Sequence, residues 1–256
     1  MYNNTLKSKL KNNELTIGSW ITIGHPSVIE VLSNAGFDWL TIDMEHTTID
    51  YSTAQILIST IQSKGMAALV RVSKNDEVYI KRVLDAGADG VIVPMINNAD
   101  DARKAVQYVK YPPEGKRGVG LYRAQKFGLT NGFEDYKEWL TYSSVIIAQI
   151  EHVDAVNNIE EIISTPGIDG VIIGPYDLSG SIGVPGDFLH HKVVEPLHKF
   201  EEACIRLEFP MGYHIIDPDA ELLNKKLESG YKFIAFSTDF MFMGMKALAE
   251  FKRINK

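Results

Sequence analysis

The 256-residue sequence predicts a single-domain α/β protein, a (β/α)8 TIM barrel. Eight short apolar runs rich in β-branched residues alternate with amphipathic stretches from end to end, the pattern of parallel strands joined by crossover helices. Four joints repeat one device, a glycine that closes a helix directly before a strand. The length fits as well, since such barrels run to ~250 residues as one unit.

In chain order, a polar N-terminal extension over residues 1–14 precedes the first strand, 15–23. Further strands are expected at 39–45, 67–72, 90–95, 145–151, 170–174, 211–216 and 233–238. Apolar residues at helical spacing predict helices near 27–35, 50–63, 76–86, 98–109, 153–163, 190–207, 218–229 and 241–253. The repeated joints are Ala35-Gly36-Phe37-Asp38, Ala86-Gly87-Ala88-Asp89-Gly90, Pro166-Gly167-Ile168-Asp169-Gly170 and Ser229-Gly230-Tyr231-Lys232. A doubly wound open sheet is the alternative. No Gly-x-Gly-x-x-Gly follows the first strand, which disfavours its dinucleotide-binding form.

One long segment, 111–141, reads as irregular, and loops of that length often rim an active site. The last helix, within 240–254, is rich in methionine (Met241, Met243, Met245) and adds Phe242, Leu248 and Phe251. Methionine commonly fills gaps in a chain's own core. Apolar residues on more than one face speak equally for a helix exchanged between subunits.

Composition narrows the function. Hydrophobic residues make up 45% and charged residues 23%, the balance of a chain that buries a large core. A net charge of −7 argues against a nucleic-acid partner, because such binding neutralises phosphates with Lys and Arg. The single cysteine, Cys204, can form no internal disulfide. The first 14 residues have no apolar core of a signal peptide, and no run approaches the ~18 apolar residues of a membrane span. A cytoplasmic protein without membrane partner is expected.

In this fold the chemistry lies at the C-terminal ends of the strands. There the sequence places Asp43, Glu45 and His46 after the second strand, Arg71 at the end of the third, and Gln149 and Glu151 at the end of the fifth. Asp177 follows the sixth strand and His214 lies on the seventh. Alternation puts Asp43 with Glu45, and Gln149 with Glu151, on shared strand faces. Polar strand ends are often only wet, but five of eight ending in ionisable groups is a concentration that needs a partner. Buried carboxylates are costly unless paired or bound to a cation. Glu151 and Asp177, without cysteine or clustered histidine, suit a hard divalent ion such as Mg²⁺ or Mn²⁺. Arg71 offers a fixed guanidinium to a carboxylate or an oxyanion. His46 is the candidate general base, its ring held by Asp43. No lysine ends a strand facing inward, so a Schiff-base mechanism is not expected.

These residues, in order and at this spacing, resemble the HpcH/HpaI family of metal-dependent class II pyruvate aldolases. The likeness spans about residues 15–250. It rests on Gly36-Phe37-Asp38-Trp39, Ile42-Asp43-Met44-Glu45-His46, Val70-Arg71, Val93-Pro94-Met95, Tyr111-Pro112-Pro113, Arg117-Gly118-Val119-Gly120, Gln149-Ile150-Glu151 and Ile173-Gly174-Pro175-Tyr176-Asp177-Leu178-Ser179. The resemblance implies a metal on Glu151 and Asp177 that binds pyruvate through its carboxylate and C2 oxygen; Co²⁺ and Zn²⁺ join Mg²⁺ and Mn²⁺ as candidates. It implies Arg71 on the C2 oxygen, His46 with Asp43 moving the proton, and backbone amides around Gly174 and Pro175 on the substrate carboxylate. Gln149 and Glu45 would support the ligands, and Asp85 would reach an adjacent active site. Family members are hexamers whose last helix packs on a neighbour, so a homo-oligomer is implied.

The reaction implied is the making or breaking of 4-hydroxy-2-oxo acids from pyruvate and an aldehyde. Two stretches depart from the better-known pattern. His214 stands where an apolar residue is usual; it could bond a hydroxylated aldehyde or merely satisfy the strand end. Residues 121–128 also differ, and Arg123 could touch the far part of a substrate. A sugar-derived 2-oxo-3-deoxy acid is therefore as plausible as the heptanedioate of the family's type member. Two other readings stay open: a lyase on a coenzyme A thioester, like the citrate-lyase β and malyl-CoA relatives, and a catalytically silent barrel serving in assembly.

Overall fold

β-Branched residues favour extended backbone, and here they pair in strict sequence order. The computed structural model describes residues 5–254 and contains eight parallel strands: β1 (Thr16–Ile21), β2 (Trp39–Asp43), β3 (Ala67–Arg71), β4 (Gly90–Val93), β5 (Val145–Ile150), β6 (Gly170–Ile173), β7 (Met211–Ile215) and β8 (Phe233–Thr238). They close into one barrel, β8 pairing with β1. Most strands are one or two residues shorter than their apolar runs, because pairing stops where the chain turns into the polar mouth.

The helices are α1 (Leu6–Lys11), α2 (Pro26–Leu32), α3 (Tyr51–Ser63), α4 (Glu77–Asp85), α5 (Ala99–Val109), α6 (Gly132–Tyr142), α7 (Val153–Asn157), α8 (Ile159–Ile163), α9 (Pro175–Ser181), α10 (His191–Arg206), α11 (Ala220–Glu228) and α12 (Asp239–Phe251). The helix expected over 153–163 is two short ones, α7 and α8. Aspartates cap α3, α4 and α11 by accepting first-turn amides, a device worth ~1 kcal/mol each. Among the described residues no helix is long and apolar enough to cross a membrane. Cys204 is buried, and burial pushes its thiol up to about 12, so it packs as a small hydrophobe.

The repeated joints have a common purpose. Gly36, Gly87, Gly167 and Gly230 all sit at positive φ, between 86° and 102°. In three of them the aspartate that follows reaches across to a backbone amide of a neighbouring strand: Asp38 accepts from Ile17, Asp89 from Ala68 and Asp169 from Ile146, at 2.8–2.9 Å. The same turn thus ends a helix and fixes strand register.

The barrel interior is a layered apolar core of Trp39, Leu69, Ile92, Ile147, Ile172 and Phe233, with Trp39 and Phe233 stacked at 4.3 Å. The polar extension contributes to it. Within residues 5–14, the part of the extension that is described, α1 buries Leu6 and Leu10 in this core and so closes its N-terminal end. Lys7 pairs with Asp169 at 2.7 Å and Lys9 with Asp38 at 2.6 Å, pinning the plug.

The segment 111–141 differs from expectation in two ways. It contains most of α6, and it does not rim the mouth. The 11-residue α5 carries the chain back to the strand starts, so the loop packs at the opposite end of the barrel. There Arg117 is buried, bonds the Tyr136 hydroxyl at 2.9 Å and pairs with Asp85. Arg123, a residue that could touch the far part of a substrate, donates within its own chain to Ala86 O at 2.9 Å, closing the end of α4, and to Gln62.

Helix α12 rests on its own barrel through Phe242, whose ring meets Phe37 and Phe236. Phe240, Met243, Met245, Leu248 and Phe251 stay exposed, and with α2 the helix borders an apolar groove of about 630 Å³.

Candidate active site

The strand register decides what meets at the mouth. Asp43 and Arg71 are direct partners on β2 and β3. Arg71 donates from Nε to Asp43 Oδ1 at 2.9 Å and from Nη2 to Oδ2 at 2.7 Å, a two-pronged bond between nearly buried side chains. Its guanidinium also lies 4.3 Å from the centre of the Trp20 ring, supplied by β1. A planar cation held at its edge and on its face cannot swing. Nη1 makes no hydrogen bond to another described residue and is left for a ligand.

Burial pushes Asp43 up, but the Arg71 bonds and charge, with the amides of Glu45 and His46, outweigh it and hold its carboxyl below the ordinary value. Asp43 is therefore a fixed anion. It does not hold the His46 ring: it takes the His46 backbone amide at 3.3 Å, while His46 Nε2 lies 3.6 Å from Glu45 Oε2. Arg71 claims both Asp43 oxygens, and the exposed imidazole turns to the next carboxylate.

Glu45 and Glu151 behave in the opposite way. Burial lifts Glu45 to about 7, opposed by Arg71 and reinforced by Asp43 and Asp177. Burial likewise lifts Glu151 to about 7; the Met95 amide and Arg71 oppose this, and Glu45 and Asp177 add to it. Three carboxylates, from just past β2, just past β5 and the start of α9, thus crowd one another. Among the described residues no three His, Cys, Asp or Glu side chains form a ready-made metal cage. The donor set Glu151 and Asp177 nevertheless fits a hard divalent ion that takes its other ligands from water and substrate. A cation there would relieve the repulsion, and the buried Gln149 Oε1, which lacks a partner among the described residues, lies on the same strand face.

Local geometry supports Glu151 on two sides. Met95, in the left-handed region at φ 53°, aims its amide at Glu151 Oε2 at 3.0 Å. Gln149 donates to Oε1. Gly174 leaves the remaining side open; a Cβ there would stand 3.0 Å from Glu151 Cγ and 3.3 Å from Oε1. The amides expected around Gly174 and Pro175 can be located more closely. Gly174 donates to Ile150 O at 2.9 Å, and proline has no N–H. The uncapped first-turn amides of α9 are those of Tyr176 and Asp177.

His214 enters the same mouth from β7, its ring 5.1 Å from Trp20. Asp85 does not: at the far end of α4 it is bound by Arg117 and Gln125. Two contributors were not read as site residues from sequence, Trp20 and the Met95 amide. The inward phase of the first strand carries Trp20; a left-handed methionine has no sequence signal.

Comparison with known proteins decides the family. The model described as HpcH/HpaI aldolase/citrate lyase matches residues 16–243. The chain belongs to this family. A 2-dehydro-3,6-dideoxy-6-sulfogluconate aldolase of Pseudomonas putida is 38% identical over 239 residues, 93% of this chain and 92% of the relative. A hydroxypyruvate/pyruvate aldolase of Sagittula stellata is 36% identical over 247 residues, 96% of each chain. The crystal structure of an HpcH/HpaI aldolase/citrate lyase family protein from Burkholderia cenocepacia superposes with a TM-score of 0.90 at 32% identity, covering 98% of this chain and all of that one. This HpcH/HpaI protein is accordingly an aldolase, a carbon–carbon lyase, and the silent-barrel reading falls.

Proposed function

We propose that this aldolase cleaves and forms 4-hydroxy-2-oxo acids, with pyruvate as the donor half and an aldehyde as the other. The observation that carries this is Arg71, locked on Asp43 and Trp20 with Nη1 free, beside the crowded carboxylates of Glu45, Glu151 and Asp177.

Glu151 and Asp177 would hold a divalent cation, Mg²⁺ or Mn²⁺ first, with Co²⁺ or Zn²⁺ as alternatives. Such an ion supplies Lewis-acid stabilisation of negative charge on the C2 oxygen. Arg71 Nη1 donates to the same oxygen as charge develops. The α9 amides of Tyr176 and Asp177, around Gly174 and Pro175, take the substrate carboxylate. Gln149 and the Met95 amide keep Glu151 in position. In cleavage His46, oriented by Glu45 rather than by Asp43, removes the C4 hydroxyl proton. The C4–O bond becomes a carbonyl, the C3–C4 bond breaks, and its electron pair moves into the C2–C3 enolate, which takes a proton at C3 to give pyruvate. Asp43 keeps Arg71 aligned and charged throughout.

The exposed row on α12 supports a homo-oligomer, a hexamer by family resemblance, with α12 exchanged between subunits. In it Asp85 would approach a neighbour's site, carried beside the exposed Val119, Leu121 and Tyr122. A cytoplasmic location is supported by the single buried thiol.

The test is release of pyruvate from a panel of 4-hydroxy-2-oxo acids, followed with lactate dehydrogenase, before and after chelation and on adding Mn²⁺. Metal-dependent release supports the proposal; release that survives chelation rejects the mechanism. Turnover confined to coenzyme A thioesters would favour the citrate-lyase-like reading.

A further inference from the structure

The charged side of the mouth is built by β2, β3, β5 and α9, so a donor half held by Arg71, Glu151 and Asp177 occupies that side. The aldehyde half then extends across the mouth toward β7, β8 and β1, an arc of different chemistry. His214 is the register partner of Ala235 on β8, an interior residue, so it points into the barrel with a small side chain next to it. Its ring lies 5.1 Å from Trp20, which also lies 4.3 Å from the Arg71 guanidinium. His214 Nε2 is buried and has no hydrogen-bond partner among the described residues. A buried polar atom on an inward-facing residue at the mouth, left unpaired, is a position suited to a ligand's hydrogen bond.

The charge state narrows the ligand. Burial, then the nearby Arg71, push His214 down to about 3, with Asp43 opposing. The imidazole stays neutral at working pH, so it suits a dipole rather than an anion.

We propose that His214 is a specificity-determining residue that hydrogen-bonds a hydroxyl on the aldehyde half, making the substrates 4-hydroxy-2-oxo acids with a further hydroxyl beyond C4. This rests on the aldolase reading above and deepens it. A terminal carboxylate at this position finds no cationic partner in the His214 ring.

The experiment has two stages, run on the intact Mg²⁺-loaded enzyme. Exchange of pyruvate methyl protons in D2O reads the donor half alone; its absence in the wild type would reject the aldolase reading itself. Aldol addition is then compared for glycolaldehyde, propanal and succinic semialdehyde in the wild type, His214→Leu and His214→Gln. The wild type should prefer glycolaldehyde. His214→Leu should lower kcat/KM for glycolaldehyde about 10-fold relative to propanal, the loss of one buried hydrogen bond. Exchange with pyruvate alone should continue in both variants, and His214→Gln should recover part of the preference. A glycolaldehyde-to-propanal ratio unchanged in both variants overturns the assignment. So does a wild type that prefers succinic semialdehyde, or a parallel loss of exchange and of every aldehyde. If the leucine variant fails to fold, His214→Phe takes its place, and a glycolaldehyde-to-propanal ratio equal to the wild type's in that folded, exchange-competent variant counts against the proposal.

Discussion

Arg71 meets Asp43 edge to edge, two nitrogens on two oxygens at 2.9 and 2.7 Å, from directly paired positions on adjacent strands. The bond occupies both Asp43 oxygens and two of the three guanidinium nitrogens, and leaves Nη1 without a hydrogen bond to another described residue. The pair converts a flexible cation into a fixed one, and the catalytic reading depends on that rigidity.

Arg71→Ala should remove stabilisation of the C2 oxygen and lower kcat by ~10²–10³. Arg71→Lys keeps the charge but loses the two-pronged bond, and should recover only a small part. Steady-state kinetics of pyruvate release measure both; a lysine variant near wild-type kcat would show that charge alone suffices.

Metal and pH should act together. Glu45 and Glu151 sit at about 7 against an ordinary 4.5. Between those values the metal-free folded protein holds more protons than the unfolded chain, so it loses stability as pH rises through that window. Asp43, held below its ordinary value, works oppositely: its contribution is present at neutral pH and lost as pH falls through its folded-state value. A divalent cation offsets the crowding only when the carboxylates are ionised. The Tm gain on adding Mn²⁺ should therefore be larger at pH 8 than at pH 5, and an equal gain at both would remove this argument.

Gly174→Ala tests the close approach to Glu151. The backbone there, φ −99°, accepts alanine, but the new Cβ would meet Glu151 Cγ at 3.0 Å. The variant should fold normally and bind Mn²⁺ more weakly, as read by metal titration. Unchanged affinity would mean Glu151 can yield without cost to the site.

Leu10→Ala should destabilise the fold by about 3 kcal/mol, since Leu10 is buried in the barrel plug. Because α1 lies at the end opposite the mouth, kcat at a permissive temperature should be retained. Denaturant melts and kinetics on the same preparation separate the two effects.

Much of this could be read from the chain. Asp43, Arg71, Gln149 and Glu151 end apolar runs in the inward phase, and a parallel barrel leaves such residues one destination. Alternation gives the face of a side chain but not its partner, so the loss of Asp43 to Arg71, and with it the turn of His46 toward Glu45, needed the register. The segment after α5 packs away from its own mouth, because length suggests a loop's importance without fixing its position. Which amides around Gly174 and Pro175 stay open needed the hydrogen bonds, although proline at 175 offers none itself. Leu6 and Leu10, four residues apart in a polar stretch, were a faint amphipathic signal that net polarity concealed.

The central claim is that a divalent ion on Glu151 and Asp177, aided by Arg71, stabilises the pyruvate enolate. Exchange of the pyruvate methyl protons with D2O, followed by NMR without any aldehyde, measures this step alone. Exchange should require Mg²⁺, stop on chelation, and slow at least ~100-fold in Arg71→Ala. Exchange that proceeds at the same rate in chelator, or in Glu151→Ala, would contradict the account.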